Sequence, residues 1–277
     1  MFECIFIGDT GSGTDDQYKV AHSMTQIIKD RPINSIIIVG DNIYPDGCQT
    51  IDDEQFNTKF RDPYQKINLP FYLCLGNHDY HTNPQSQIDY TFSKYNLDKK
   101  WNMPSKWYTQ SFPFCDMFFL DTNFKHLPEE IIQQQLNDTI SSIKNSKKRW
   151  KILCGHHTWR SVGGHGNAEE RHEKFMDDLL AKVKIDIYIC GHDHCKSLIK
   201  VGKHNIPNIH NIPTLVIGTG GKSYDDSLVF LEKTAQDNSV LEYFSPNLGV
   251  CHMKCNEKVC SLTCYNEHLE EEYQFEI

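Results

Sequence analysis

Seven short apolar runs punctuate the chain: CIFIG at 4–8, SIIIVG at 35–40, FYLCLG at 71–76, MFFLD at 117–121, KILCG at 151–155, DIYICG at 186–191 and TLVIGTG at 214–220. They are rich in β-branched residues and continuous rather than alternating, the pattern of strands covered on both faces. Most stop at Gly or Asp. Between them, apolar positions recur at helical spacing. Asp15 and Asp16 are placed to cap a helix carrying Val20, Met24, Ile27 and Ile28 on one stripe. The segment PEEIIQQQLNDTISSI (128–143) opens with proline and acids, as a helix N-terminus does. AEERHEKFMDDLLAKV (168–183) repeats the stripe with Phe175, Leu179 and Val183. Beyond about residue 221 the helical pattern fades and short strand-like pieces take over.

The pattern predicts an α/β chain in which helices cover β-layers. With no repeat, low-complexity tract or linker, residues 1–277 read as one domain, and 250–277 as a cysteine-containing β-hairpin extension of it. CHMKCNEKVCSLTC is symmetric about the four-residue loop 256–259. Pairing across that loop sets Cys251 against Cys264, Met253 against Leu262, and Cys255 against Cys260, all six on one face. His252, Lys254, Ser261 and Thr263 take the other. A core-facing strand pair with free thiols, a pair of disulfides and a structural zinc all fit this spacing, zinc least well for want of a Cys-x-x-Cys pair.

Composition adds limits. A hydrophobic fraction of 39% and a charged fraction of 23% are ordinary for a globular protein. A formal charge of −9 disfavours duplex nucleic acid as a partner. No apolar run reaches the length that spans a bilayer. MFECIFIGDTG enters the first strand at once, so the expected location is cytoplasmic, or vesicular and secreted if a leader has been removed. Of the eleven cysteines, Cys4, Cys74, Cys154 and Cys190 fall inside apolar runs and read as small hydrophobes.

The chemistry gathers where strands end. GDTG carries Asp9, GDNIY carries Asp41 and Tyr44, GNHD carries Asn77 and His78, GHH carries His156 and His157, and GHDH carries His192 and His194. Ligands of α/β sheets bind beyond the carboxyl ends of strands. Any one of these short sequences would pass as turn chemistry. Five of them, each after a buried run, point to a dinuclear metal site.

This ordered set resembles the calcineurin-like metallophosphoesterases. The resemblance implies a two-sheet β-sandwich flanked by helices, a four-layer α/β/β/α fold. It also implies two metals, with Asp9 and His194 on the first, Asp41 bridging, and Asn77, His156 and His192 on the second. A bridging carboxylate between two close cations is what their repulsion demands. Tyr44, three residues after Asp41, narrows the resemblance to the purple acid phosphatases, in their small, mammalian-type (tartrate-resistant) form. There the tyrosine is a ligand, and a phenolate is a hard donor that favours Fe(III) in the first site, with Fe(II), Zn or Mn in the second. KKWNMPSKWY (99–108) and GTGG (218–221) extend the similarity over roughly residues 2–250. GDTG lacks the family's tryptophan, Thr158 stands where proline is usual, and the segment between Asp121 and Pro128 is short.

The resemblance implies hydrolysis of phosphomonoesters by a metal-bound hydroxide. His165, in GGHG, is the expected general acid, and His78 the expected source of phosphate contact and proton supply. His22, His172, His204, His210, His252 and His268 match no part of the pattern and read as solvated or packing residues. The expected partner is a small phosphomonoester or a phosphoprotein, with no nucleic acid, no membrane and a monomeric chain. Rival readings are a Mn- or Zn-dependent phosphodiesterase or protein phosphatase of the same superfamily, and an inactive scaffold with this fold. GDNIYPDG and GNHD differ from the GDxVDRG and GNHE of serine/threonine phosphatases.

Overall fold

The computed structural model describes residues 1–202, 210–223 and 239–277, the side chains of 210 and 211 excepted. His204 and part of the strand-like region after 221 lie outside the described residues.

The first sheet is built from β1 (Phe2–Ile7), β2 (Ser35–Ile38), β3 (Phe71–Leu73) and β4 (Trp101–Asn102), all parallel. The second begins with β5 (Tyr108–Ser111), an antiparallel edge on β6 (Cys115–Phe119). There β6, β7 (Trp150–Cys154), β8 (Ile187–Cys190) and β10 (His210–Ile217) run parallel. β9 (Lys196–Gly202) and β11 (Val240–Ser245) complete that sheet antiparallel to their neighbours. Finally β12 (Gly249–Cys255), β13 (Cys260–Asn266) and β14 (Glu271–Glu276) return to the first sheet, β12 pairing antiparallel with β1.

Three apolar clusters make the layers. Phe6, Val39, Met117, Ile152, Leu215 and Met253 come from both sheets and fill the space between them. The outer face of the first sheet packs under α1 (Asp15–Asp30) and α2 (Pro84–Phe92) through Ile5, Ile36, Met24 and Ile88. The outer face of the second packs under α3 (Glu129–Asn145) and α4 (Glu170–Leu180) through Leu153, Tyr188, Leu136 and Phe175. The order is therefore helix, sheet, sheet, helix. Strands buried on both faces need no alternation, which is why their sequences are continuous apolar runs.

Local chemistry explains the helix ends. Asp15 and Asp16 sit in the first turn of α1 rather than at its cap, which is Thr14. There they oppose the positive end of the helix dipole. Arg31 takes an extended backbone before Pro32 and stops the helix. α4 ends at Leu180, so Val183 lies beyond it, still buried.

The C-terminal extension is a three-stranded meander, not a lone hairpin. In β14, Tyr273 and Phe275 lie against the inter-sheet core, and Gln274 and Glu276 are exposed. Lys196, fully buried, pins this segment to the second sheet. Its Nζ lies 2.8 Å from Glu272 and donates to the carbonyls of Asn247 (2.8 Å) and Leu248 (3.0 Å). A buried ammonium is tolerated only with such a full set of acceptors. Among the described residues no helix is long and apolar enough to cross a membrane.

Candidate metal centre

Parallel strands deliver their carboxyl ends to one edge of each sheet, and the two edges meet. The Asp9 amide donates to the Gly40 carbonyl (3.0 Å), and the His192 amide donates to Asp9 Oδ2 (2.9 Å), joining the ends of β1, β2 and β8. The backbone turns there in the left-handed region: φ is +57° at Asp9, +50° at Asp41 and +73° at His192. Non-glycine residues pay for that conformation, and such outliers concentrate at functional sites.

Asp9, Tyr44 and His194 form one group. The Tyr44 hydroxyl donates to Asp9 Oδ1 at 2.9 Å and lies 3.1 Å from His194 Nε2, itself 3.3 Å from Asp9 Oδ1. Tyr44 follows Asp41 at i+3 because the loop doubles back, the Tyr44 amide donating to the Gly11 carbonyl at 2.9 Å. Asp41, Asn77 and His156 form a second group. His156 Nε2 is 3.4 Å from Asp41 Oδ1 and 3.0 Å from Asn77 Oδ1. Ligand atoms of Asp9, Asp41 and His156 all lie within 4.8 Å of one another. His192 completes the cluster, its ring 5.1 Å from that of His156.

His156 Nδ1 lies 2.9 Å from the Val39 carbonyl, which can only accept. The ring's proton is therefore on Nδ1, leaving the Nε2 lone pair toward Asp41 and Asn77. Gly40 makes this possible: a Cβ there, at φ +89°, would sit 2.4 Å from His156 Nδ1.

The electrostatics ask for cations. Asp9 and Asp41 are almost fully buried. Burial works to raise the Asp9 pKa, but the His194 hydrogen bond and the charges of His156 and His194 outweigh it and hold the carboxyl low. Burial and the Asp9 and Asp41 charges push the Tyr44 phenol well up. His192 is driven well down by burial and by the neighbouring imidazoles. Two buried carboxylates, a phenol, an amide oxygen and three imidazoles around one small space form a donor set of hard and borderline character. It fits two divalent or trivalent ions. Lys222, just after the glycine loop, places its ammonium 3.8 Å from the centre of the Tyr44 ring.

The two expected catalytic histidines lie at the rim. The His78 amide donates to Asp41 Oδ1 (2.9 Å), and its ring packs 4.5 Å from that of Tyr44. His78 Nδ1 lies 2.5 Å from the Pro45 carbonyl. His165 stands 3.9 Å from the His192 ring. Its partner is Asp193, the residue between the two histidines of GHDH, which the sequence reading passed over.

Other supporting residues were missed as well. Asp79 accepts from the amides of Asn42 (3.1 Å), Ile43 (3.1 Å) and Gly76 (2.8 Å) and from Gln87 Nε2 (2.8 Å), fastening the second and third loops together. Burial and Asp41 raise its pKa to about 7. Thr122 Oγ1 accepts from the amides of His156 (3.2 Å) and His157 (3.0 Å). Its own hydrogen then goes to His157 Nδ1 at 2.9 Å, so His157 keeps its proton on Nε2. The signal for Asp79 and Asp193 was present, since each flanks a histidine of a strand-end sequence. Thr122 carries no pattern of its own. Of the histidines left unassigned, His252 is buried against Glu3 (2.9 Å) and His172 is buried beside Phe124.

A cavity of about 580 Å³ opens beside the second group. Asn77, His157, His165 and His192 line it together with Phe124 and Arg171. That volume suits a small organic ligand.

The fold and the donor set define a metallophosphoesterase. The family model for calcineurin-like phosphoesterases matches residues 3–196, and the chain belongs to that family. Within it the chain is one of the purple acid phosphatases. It is 31% identical to purple acid phosphatase 4 of Arabidopsis thaliana over 95% of this chain and 79% of that one. Human tartrate-resistant acid phosphatase type 5 is 26% identical over 69% of this chain and 66% of its own length. In structure, the whole chain superposes on GAP50, the anchor in the inner membrane complex of Plasmodium (TM-score 0.81, 21% identity, 88% of that chain). It also superposes on purple acid phosphatase PPD1 from yellow lupin (TM-score 0.73, 16% identity), of which it covers 53%. At those identities the structural likeness is one of fold.

Proposed function

We propose that the chain is a dinuclear acid phosphatase that hydrolyses phosphomonoesters. Asp9, Tyr44 and His194 would hold the first ion and Asn77, His156 and His192 the second, with Asp41 the carboxylate available to both. The convergence of the Tyr44 oxygen on Asp9 and His194 carries this reading, because a tyrosine in that position supplies the hard donor that suits Fe(III). The second ion would be Fe(II), Zn or Mn, and when bound the pair would supply Lewis acidity for water activation and charge neutralisation.

The chain's own residues do the rest. His157 Nε2–H and the His165 ring border the cavity where the ester oxygens come to rest. His165 Nδ1 lies 2.9 Å from Asp193 Oδ1, a carboxylate that only accepts, so the other ring nitrogen faces the cavity. There it gives a proton to the departing alkoxide. His78, fixed through its amide to Asp41, contacts the phosphate and relays protons at the opposite rim. The cavity receives the leaving group, and its size suits a small ester.

A scaffold role is the second reading, prompted by the anchor among the structural neighbours. A filled set of seven donors gives docking no advantage and favours catalysis. Metal content, the visible spectrum and rates on a phosphomonoester and a phosphodiester test the proposal together. About two ions per chain, a visible charge-transfer band and monoester preference are expected. Bound metal without turnover on either ester would favour the scaffold.

A further inference from the structure

The cysteine-bearing hairpin takes no part in the site above. Cys251, Cys255, Cys260 and Cys264 are fully buried between the sheets. β12 and β13 pair without a register shift, Cys251 opposite Cys264 and Cys255 opposite Cys260. At the loop the Asn256 amide donates to the Val259 carbonyl at 2.9 Å, which makes that pair a hydrogen-bonded one. Hydrogen-bonded and non-hydrogen-bonded pairs alternate along an antiparallel ladder. Cys255–Cys260, one step on, and Cys251–Cys264, four steps further, are therefore both non-hydrogen-bonded pairs. In such pairs the Cα atoms stand roughly 4.5 Å apart with their side chains closest, inside the window a disulfide requires. All four side chains lie in the same inter-sheet cluster.

We propose that Cys251–Cys264 and Cys255–Cys260 are two disulfide-forming sites, oxidised during folding by a low-molecular-weight disulfide such as oxidised glutathione. One cysteine thiolate attacks the glutathione disulfide and releases one glutathione thiol. The second cysteine then attacks the mixed disulfide and releases the other, so each bond consumes one oxidised and yields two reduced glutathiones. The four sulfurs are shielded once the sheets close, which assigns the reaction to the folding chain. A reducing compartment leaves the thiols intact as core hydrophobes, and an oxidising one makes two staples.

Cys255 has a second neighbour. Cys115 on β6 lies in the same inter-sheet cluster, and a bond there would join the two sheets instead. Loop length decides between them. Cys255 and Cys260 are separated by a four-residue turn, so they meet before β6 has docked. The staples hold β12, the neighbour of β1, whose end delivers Asp9.

The test is to unfold the full chain under reducing conditions and refold it in a mixture of oxidised and reduced glutathione. The product is then trapped by alkylation, and the linked peptides are mapped by mass spectrometry. The expected result is two linked pairs, Cys251–Cys264 and Cys255–Cys260, with the other seven cysteines alkylated. Cys115→Ala should leave that map unchanged. Protein made in an oxidising secretory compartment gives the same map if refolding in vitro fails. Eleven alkylated thiols, scrambled pairs or a Cys115–Cys255 bond from either source would overturn the proposal.

Discussion

His165 and Asp193 form a dyad at the edge of the candidate metal centre. The His165 ring Nδ1 and its backbone amide both reach Asp193 Oδ1, at 2.9 and 2.8 Å. Ser161 donates its hydroxyl to the other carboxylate oxygen. Asp193 itself is fully buried. It thus fixes both the tautomer and the direction of a ring that the sequence alone could only nominate.

If His165 protonates the leaving group, Asp193→Asn should loosen the ring and lower kcat/KM for alkyl phosphates by about 10–100-fold. Esters with good leaving groups, such as nitrophenyl phosphate, need no proton and should lose far less. A parallel series of both ester types reads this out. Equal losses would assign Asp193 a purely structural part.

Asp41→Asn removes the carboxylate proposed to bridge the two ions. Metal content should fall below one ion per chain, and turnover should drop by at least about 10³-fold. Tyr44→Phe should abolish the visible band while far-UV circular dichroism stays native, since the phenyl ring keeps its packing. A band that survives in Tyr44→Phe would remove the tyrosine from the first ion's shell.

Gly40→Ala tests the close approach of loop and ring. The added methyl would meet His156 Nδ1 at 2.4 Å and break its bond to Val39. The expected outcome is loss of the second ion before the first and a fall in activity of about 100-fold. Elemental analysis of the purified variant measures it.

His172 makes stability depend on pH. It is buried, its ring nitrogens have no hydrogen-bond partner, and burial lowers its pKa to about 4. The folded state therefore resists the proton that the unfolded chain accepts near pH 6.5. Its contribution is complete above about pH 6.5 and is lost as pH falls toward 4. At pH 5 the loss is about 2 kcal/mol. His172→Leu should remove it, so the variant gains on the wild-type chain as pH drops from 7.5 to 5. Urea midpoints at the two pH values check the sign.

The sequence by itself determined the seven strands buried on both faces and which residue types stand at their ends. Long apolar runs bury on both faces whatever their partners, and Gly-Asp or Gly-His after a strand has few places to go. The cysteine register too was legible, because a symmetric turn allows one pairing. Other features needed the third dimension. Asp15 and Asp16 fall in the first turn of α1 and not at its cap position, and β14 appeared as a third strand because pairing with β13 decides it. Asp193, Thr122 and Asp79 act through atoms brought from 28, 35 and 37 positions away in the chain. Only the meeting of two sheet edges places Tyr44 against His194, 150 residues downstream, since a contact between distant segments is fixed by packing and not by any local preference.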